Sequence, residues 1–236
     1  VEVVMTVLGA GGKFDKNTYK VSGGLHGVGA SVVNALTEWC EVEVRRNGKI
    51  FQQKYKEGKA VSKVVDIGKS KETGTTVRFL PDKTIFKKIN WTFETIASRL
   101  RELAFLNRNL RITLEDTREK KKEEYHYEGG ISEFVQYLDE SRQTVMKKPI
   151  YIETEKENTP VEIAFQYNDS YTENVFSYVN NINTVEGGTH LSGFRTALTR
   201  TLNNYAAKNN LIKEKEGIAI TGDDTREGLT AIISIK

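Results

Sequence analysis

The chain has 236 residues, of which 38% are hydrophobic, and a formal net charge of +3 at pH 7. This length can bury a substantial core in one large or two small domains, and the sequence predicts two. So small a charge does not by itself indicate nucleic-acid binding, and a single cysteine, Cys40, excludes an internal disulfide and is interpreted as a small buried hydrophobe. With no signal peptide and no apolar stretch of bilayer length in the sequence, we expect a cytoplasmic protein without a membrane partner.

The first predicted elements are two helices separated by glycine-rich chain. Val3, Val4, Val7 and Leu8 suit a short helix. Residues 9–24 are rich in glycine and are interpreted as a mobile lid. The second helix is predicted to pack one apolar face into a core, and that face consists of Val28, Val32, Val33, Ala35 and Leu36.

The most informative feature is the run at 19–29, which reads Tyr-Lys-Val-Ser-Gly-Gly-Leu-His-Gly-Val-Gly. It places Gly24, Gly27 and Gly29 where a loop enters the second helix. Because glycine has no Cβ, backbone N–H groups can approach an anion closely, and the first helical turn adds unpaired donors. The run predicts a phosphate site for a nucleoside triphosphate. An ordinary glycine-rich turn at a helix start is the alternative.

Two better-known glycine motifs are excluded by their spacing. The order here is G-x-x-G-x-G, not the dinucleotide-binding G-x-G-x-x-G, and no strand is predicted directly before it. Residues 9–14 look like a P-loop, but Phe14 stands where a magnesium-binding Ser or Thr is required. The site is therefore predicted to be neither a Rossmann nor a Walker A site.

Alternation and turn residues predict the elements that follow. A hairpin of strands 40–44 and 50–55 is predicted at Asn47-Gly48, a pair that supplies positive φ for a two-residue turn. Strands are predicted at 61–67, 75–80 and 110–114, the second ending at Pro81. Between the last two, Thr92 is predicted to cap a helix whose shared face consists of Ile96, Leu100, Leu103 and Ala104. Residues 116–124 have no apolar side chain and predict an exposed hairpin tip.

The sequence pattern changes after Gly129-Gly130, and we place a domain boundary near residue 130. A short helix is predicted around Phe134, Val135 and Leu138, followed by strands near 150–154, 161–167 and 174–180. A long helix over about 191–205 and a final strand at 229–235 complete the chain. His190, before the long helix, is interpreted as shaping a turn, since no Cys or His lies at metal-ligand spacing.

Seven blocks of sequence together resemble the family of bacterial DNA gyrase B subunits, with the topoisomerase IV B subunits as close relatives. The blocks cover the chain in the family's order: Gly-Gly-Lys-Phe at 11–14, the run at 19–29, Ser-Val-Val-Asn-Ala-Leu at 31–36, Thr-Gly-Thr-Thr-Val-Arg-Phe at 73–79, Tyr-Glu-Gly-Gly at 127–130, Glu-Gly-Gly-Thr-His-Leu-Ser-Gly-Phe at 186–194, and Gly-Asp-Asp-Thr-Arg-Glu-Gly-Leu at 222–229. Tyr-Lys-Val at 19–21 favours gyrase over topoisomerase IV.

The resemblance implies an α+β architecture in two parts. Residues 1–130 are similar to the later part of a GHKL (Bergerat-type) ATPase α/β sandwich, without its N-terminal part. Residues 131–236 are similar to a transducer domain with a ribosomal-protein-like βαβ fold, without its C-terminal part. The implied function is the ATP-binding clamp of a type II topoisomerase, in which ATP binding and hydrolysis drive dimerisation, DNA strand passage and negative supercoiling.

The resemblance also implies which cofactors and partners the protein uses, and which of the family's catalytic residues this chain lacks. The cofactors are ATP and Mg²⁺, and the partners are DNA, the gyrase A protein in a heterotetramer, and a second copy of the gyrase B protein in ATP-dependent dimerisation. The family's water-activating glutamate, magnesium-binding asparagine and adenine-reading aspartate are expected before Val1, and its Gln-Thr-Lys loop after Lys236. No catalytic residue or metal ligand is therefore expected among these residues, and the chain alone is predicted to be inactive.

Residue by residue, the family's nucleotide contacts match ten positions: Lys13, Tyr19, Lys20, Gly24, Leu25, His26, Gly27, Val28, Gly29 and Thr75. Arg46 matches an arginine at the pocket rim where aminocoumarin inhibitors bind. Other roles stay open, because Thr75 also suits a plain strand position, Arg46 a solvated hairpin charge, and His26 a purely structural bond in the loop. Gly9 departs from the family, which commonly has histidine there.

Two further function classes are compatible with parts of the sequence. A GHKL-type chaperone or signalling ATPase shares the phosphate run, but the blocks at 186–194 and 222–229 argue against it. A non-enzymatic DNA-binding module would need basic and aromatic residues clustered on one face. Arg195 and Arg200 on the long helix are the only hint of such a cluster.

Overall fold

The computed structural model describes residues 1–10, 27–211 and 220–236. This part of the chain forms two compact units, Val1–Trp91 and Thr92–Lys236. Both units combine sheets with helices, as the predicted α+β class requires. Among the described residues, no helix is both long and apolar enough to cross a lipid bilayer.

The first unit is an antiparallel sheet with two short helices. Its helices are α1 (Glu2–Thr6) and α2 (Gly29–Ala35), and its strands are β1 (Thr37–Arg46), β2 (Lys49–Lys56), β3 (Lys59–Ala60), β4 (Val65–Lys69) and β5 (Gly74–Pro81). The strand order is β3-β2-β1-β5, and β4 also pairs with β2. The predicted hairpin is confirmed: Asn47 and Gly48 have φ of 55° and 77°, which a type I′ turn requires at both positions.

The second unit carries a five-stranded sheet between two helical layers. It contains α3 (Phe93–Leu106), β6 (Ile112–Asp116), β7 (Lys121–Tyr125), α4 (Ile131–Leu138), β8 (Ile150–Lys156), β9 (Thr159–Tyr167), β10 (Asn174–Val179), β11 (Ile182–Asn183), α5 (Thr189–Lys208) and β12 (Leu229–Ile235). Strand order is β11-β10-β12-β9-β8, with β10 and β12 parallel and α5 between them in sequence. The strands β6 and β7 form the predicted hairpin, which is separate from this sheet.

The central strand β12 is buried on both faces. Leu229, Ala231 and Ile233 pack with Phe194 of α5, whereas Ile232 packs in a second cluster with residues of α3 and α4. A strand that is covered on both faces has a nearly continuous apolar sequence, which makes its ends easy to identify. The predicted bounds of 229–235 are confirmed.

The compact units divide before the predicted domain boundary. Phe105 of α3 stacks on Phe134 of α4 with ring centroids 4.7 Å apart, and on Tyr127 at 3.6 Å. The segment from Thr92 to residue 130 therefore packs with the residues that follow it. The boundary near residue 130 rests on the change in sequence pattern after Gly129-Gly130, and it stays a prediction.

The short helix predicted near the first valines is confirmed as α1, whereas the core face predicted for the second helix is wrong. In α1, Val3 and Val4 are exposed and Met5 is buried; in α2, Val32 and Val33 are exposed, and the buried side chains are Ser31 and Asn34. The cause is that α2 meets α1 and the β2–β3 turn through the polar amide of Asn34.

Two local predictions also differ from the structure. The strand predicted at 61–67 is β4 at Val65–Lys69, and only the two residues Lys59–Ala60 precede it as β3. Thr92 stands at the N-cap of α3 but makes no side-chain cap hydrogen bond.

Candidate nucleotide-binding site

The helices of the first unit cover one face of its sheet. Met5 of α1 packs on Cys40, Val42 and Tyr55. Residues directly opposite each other in antiparallel strands point to the same face, and β5 places Phe79 opposite Cys40. The same register sets Val77 opposite Val42 and Thr75 opposite Val44. Thr75, Val77 and Phe79 therefore lie on the face that carries the helices.

The opposite face of the same strands is ionic. Arg78 Nη1 lies 2.8 Å from both Glu41 Oε1 and Glu43 Oε1, and Arg45 donates to Thr76 Oγ1 at 3.1 Å. The hydrogen bond from Arg78 lowers the pKa of Glu43, and Glu43 in turn raises the pKa of Arg78. The charges of Arg78, Glu41 and Glu43 are satisfied by one another, so we place the candidate site on the other face.

The loop that enters α2 is described from Gly27 onward. Gly27 has φ of 58°, in the left-handed region that favours glycine. Val28 stands at the N-cap without a side-chain cap bond, and Gly29 begins the helix. A Cβ built on Gly29 meets no heavy atom of the described residues within 4 Å. The backbone there is open to a ligand, which is what a phosphate approaching the N–H groups requires.

Thr75 and Arg46 lie together at one end of the β1–β5 pair. Thr75 pairs with Val44, and Arg46 is two residues further along β1, so the alternation of side chains sets both on the helix-covered face. Both side chains are exposed. At the other end of the pair, Thr37 lies opposite Pro81, and α2 leads into β1 there.

Of the remaining predicted contacts, Lys13, Tyr19, Lys20, Gly24, Leu25 and His26 lie outside the described residues. The structure therefore bears on Gly27, Val28, Gly29, Thr75 and Arg46 alone. It sets Thr75 and Arg46 at one edge of the helix-covered face, and it sets the three loop residues at the start of a helix on that face. Within the described chain, no hydrogen bond joins these two groups.

Sequence reasoning missed Val77 and Phe79. They continue the face of Thr75 along β5 and are 46% and 41% exposed. Phe79 also meets Trp91 edge-on at 6.5 Å, beside a cavity of about 390 Å³ that Val33, Leu36 and Pro81 help to line. The period-two alternation from Thr75 was the signal that could have identified both residues.

Cys40 is buried in this unit, as predicted. It is 1% exposed, and burial raises the pKa of its thiol, with a smaller contribution from Glu41. Burial likewise raises the pKa of its neighbour Tyr55 to about 12. Both groups are neutral at physiological pH and stabilise the core beneath α1.

The comparisons with known proteins agree with this arrangement. A family model described as DNA gyrase B matches residues 130–236. The DNA gyrase B protein of Halalkalibacterium halodurans is 57% identical over 238 residues, and that of Clostridium acetobutylicum is 55% identical over 237 residues. Each alignment covers 100% of this chain and 37% of the relative.

Solved structures show the same relationship. The 43K ATPase domain of Thermus thermophilus gyrase B, solved in complex with an aminocoumarin, superposes with a TM-score of 0.82 at 37% identity, covering 100% of this chain and 60% of that one. The topoisomerase IV ATP-binding domain of Francisella tularensis, solved with a small-molecule inhibitor, gives 0.76 at 29% identity, covering 100% and 61%. Over the residues that it spans, the chain is similar to DNA gyrase B proteins.

The similarity to gyrase B proteins bears on the choice between gyrase and topoisomerase IV. The structural similarity to the gyrase ATPase domain exceeds the similarity to the topoisomerase IV domain in both TM-score and sequence identity. The chain spans little more than a third of the length of its curated gyrase B relatives. The activity of the whole protein is therefore a separate question from the family of this part.

His190 and Arg195 of the second unit each have a partner within that unit. His190 Nε2 lies 3.0 Å from Thr184 Oγ1, and its ring lies against Gly188, in agreement with a turn-shaping role. Among residues 1–10, 27–211 and 220–236, no group of three potential metal ligands occurs. Arg195 on α5 is bound to Glu173 at 2.7 Å, so one of the two arginines that could suggest DNA contact has an acidic partner.

Proposed function

We propose that this chain is part of the ATP-operated clamp of DNA gyrase, in which ATP binding and hydrolysis drive dimerisation, DNA strand passage and negative supercoiling. The observation that carries the proposal is identity above 50% to gyrase B proteins in alignments that cover the whole chain. The proposed partners are DNA, the gyrase A protein and a second copy of the gyrase B protein. A cytoplasmic location is part of the same proposal.

In this proposal the glycine loop holds the phosphates. Backbone N–H groups around Gly27, Val28 and Gly29 donate to phosphate oxygens, and Gly24, Leu25 and His26 complete the loop. Lys13, Tyr19 and Lys20 contact the nucleotide from the glycine-rich segment. These groups bind and orient ATP through position and charge, without a covalent intermediate.

Thr75 and Arg46 are proposed at the opposite end of the nucleotide pocket. Thr75 is on the adenine side, and its position on the helix-covered face supports that role. Arg46 lies at the rim, and the aminocoumarin complex of the Thermus relative supports a role in inhibitor binding. Mg²⁺ would neutralise phosphate charge, with its protein ligand and the base that activates water outside this set of residues.

The function is tested with the full-length gene product and its gyrase A partner. We expect ATP-dependent negative supercoiling of relaxed plasmid. Decatenation without supercoiling would identify a topoisomerase IV protein instead. ATP turnover with no effect on plasmid topology would favour a chaperone or signalling ATPase, and plasmid binding without ATP turnover would favour a DNA-binding module.

The 236-residue chain alone is expected not to hydrolyse ATP measurably and to bind it weakly. The reason is that the family's base, magnesium ligand and adenine-reading aspartate match no residue of this chain. Phosphate release from the purified chain is the measurement, with the full-length gene product as the positive control. Turnover comparable to that control would mean that the catalytic residues are misassigned.

Arg46→Ala and Lys20→Ala are expected to separate the two ends of the pocket. The planar Arg46 guanidinium suits the polar groups of a coumarin, so its loss should weaken aminocoumarin inhibition more than loss of Lys20 does. Lys20→Ala should instead reduce analogue-driven dimerisation and supercoiling. Inhibition curves and cross-linking of the full-length variants measure both effects. Equal loss of both properties in both variants would indicate general folding defects.

A further inference from the structure

The helix that follows the glycine loop is held by a polar side chain. Asn34 is completely buried, and Nδ2 of its amide donates to Met5 O at 2.9 Å and to Gly58 O at 3.2 Å. Met5 lies in the last turn of α1, where carbonyls lack a donor from the helix itself. One amide thus connects α2 to α1 and to the turn between β2 and β3.

The turn also approaches α2 with its backbone. Gly58 has φ of 80°, and a Cβ built there would lie 3.1 Å from Ala35 Cα, closer than side chains normally pack. Apolar packing contributes little on the remaining sides, since Val32 and Val33 are each about 40% exposed. The Asn34 amide and this close contact therefore both help to hold α2 in position.

Both neighbours of Asn34 are themselves fixed to the sheet. Met5 is buried against Cys40, Val42 and Tyr55, and Glu2 of α1 accepts a hydrogen bond from Gln53 at 2.6 Å. At the start of β1, Thr37 Oγ1 donates a hydrogen bond to Asn34 O at 2.7 Å. A continuous set of contacts therefore runs from the core of the sheet to α2, whose first residue is Gly29.

The amide has a defined orientation. Its nitrogen faces two carbonyl acceptors, while Asn34 Oδ1 is buried without a hydrogen-bond partner among the described residues. Only a donor fits at the nitrogen position. An aspartate has nearly the same shape but would direct an oxygen at two carbonyl oxygens, so it cannot replace the asparagine.

We propose that Asn34 is a positioning residue for nucleotide binding: it fixes α2, and through α2 the backbone of Gly27, Val28 and Gly29, in the arrangement that receives the phosphates. This role rests on the proposed function. Asn34 touches neither the nucleotide nor the reacting atoms. It acts by holding the helix that the loop enters.

The test uses Asn34→Asp and Asn34→Ala in the full-length gene product, with Asn168→Ala as a matched control. Asn168 is also a buried amide whose Nδ2 donates to two acceptors, Asp139 Oδ1 at 3.0 Å and Thr230 Oγ1 at 3.1 Å, but it lies in the second unit. Both Asn34 variants are expected to raise the Kd of a nonhydrolysable ATP analogue by about tenfold relative to the control, the ratio for one buried hydrogen bond. Amide exchange in residues 29–35 should become faster, whereas exchange in β9 and β12 should not change.

The analogue Kd and the amide exchange in α2 together show which step of the proposal fails. Faster exchange in α2 with a Kd within about twofold of the Asn168→Ala control would overturn the positioning role and leave Asn34 purely structural. Unchanged exchange in α2 would show that the amide does not anchor the helix. If the wild-type protein fails to bind the analogue, the proposed function is wrong, and the nucleotide role of Asn34 is overturned with it.

Discussion

Replacing Gly29 with alanine is expected to weaken binding of a nonhydrolysable ATP analogue by about 100-fold or more while leaving the protein folded. Nothing in the described chain lies within 4 Å of the added Cβ, so the folded protein accommodates it. Alanine also favours a helix over glycine by up to ~1 kcal/mol, so the stability of α2 should not fall. The methyl group would obstruct a phosphate at the backbone, and binding should therefore decline without loss of fold.

Two comparisons make this result specific. Gly193 lies within α5 and also has open space for a Cβ, so Gly193→Ala repeats the chemical change without touching the loop and should leave analogue binding intact. Gly27→Ala should lose both binding and some stability, because φ of 58° at Gly27 costs an alanine about 1 kcal/mol or more. Calorimetry with the full-length variants measures all three. Normal analogue binding by Gly29→Ala would show that the loop is not a phosphate site.

Replacing Asp139 with alanine is expected to destabilise the second unit by about 3–5 kcal/mol. The Asp139 side chain is fully buried after α4 and accepts hydrogen bonds from Gln166 at 2.8 Å, Asn168 at 3.0 Å and Thr230 at 2.7 Å. Arg142 also lies 3.2 Å away. Alanine would leave the three polar groups of β9, β12 and the loop after β9 buried without their acceptor.

Asp223→Ala is the matched control for Asp139→Ala. Asp223 pairs with Arg226 at 2.5 Å, but its side chain is 94% exposed, so its loss should change stability by less than ~1 kcal/mol. Amide exchange in β9 and β12 reports the free energy of opening of this unit in either variant. Similar exchange in the two variants would contradict a structural role for the buried carboxylate.

The elements that the sequence predicted correctly are determined by local chemistry. Asn47-Gly48 specifies a hairpin because both residues tolerate positive φ. Strand β12 is apolar along most of its length, so its bounds are evident from the sequence. The glycine-rich blocks and the Gly-Gly-Thr-His block, in this order along the chain, are sufficient to identify the gyrase B resemblance.

What only the tertiary structure decided is which side of an element is buried and what it meets. The valines of α2 suggested an apolar core face, yet Asn34 is the buried residue because its acceptors, Met5 O and Gly58 O, come from segments 29 and 24 residues away. The acceptor role of Asp139 depends in the same way on Thr230, 91 residues later. Hydrophobic periodicity reports the composition of one face of a helix, whereas the cover over that face comes from distant parts of the chain. The sequence by itself determined the gyrase B resemblance and the hairpin, and the tertiary structure decided which side chains are buried between α2 and its neighbours.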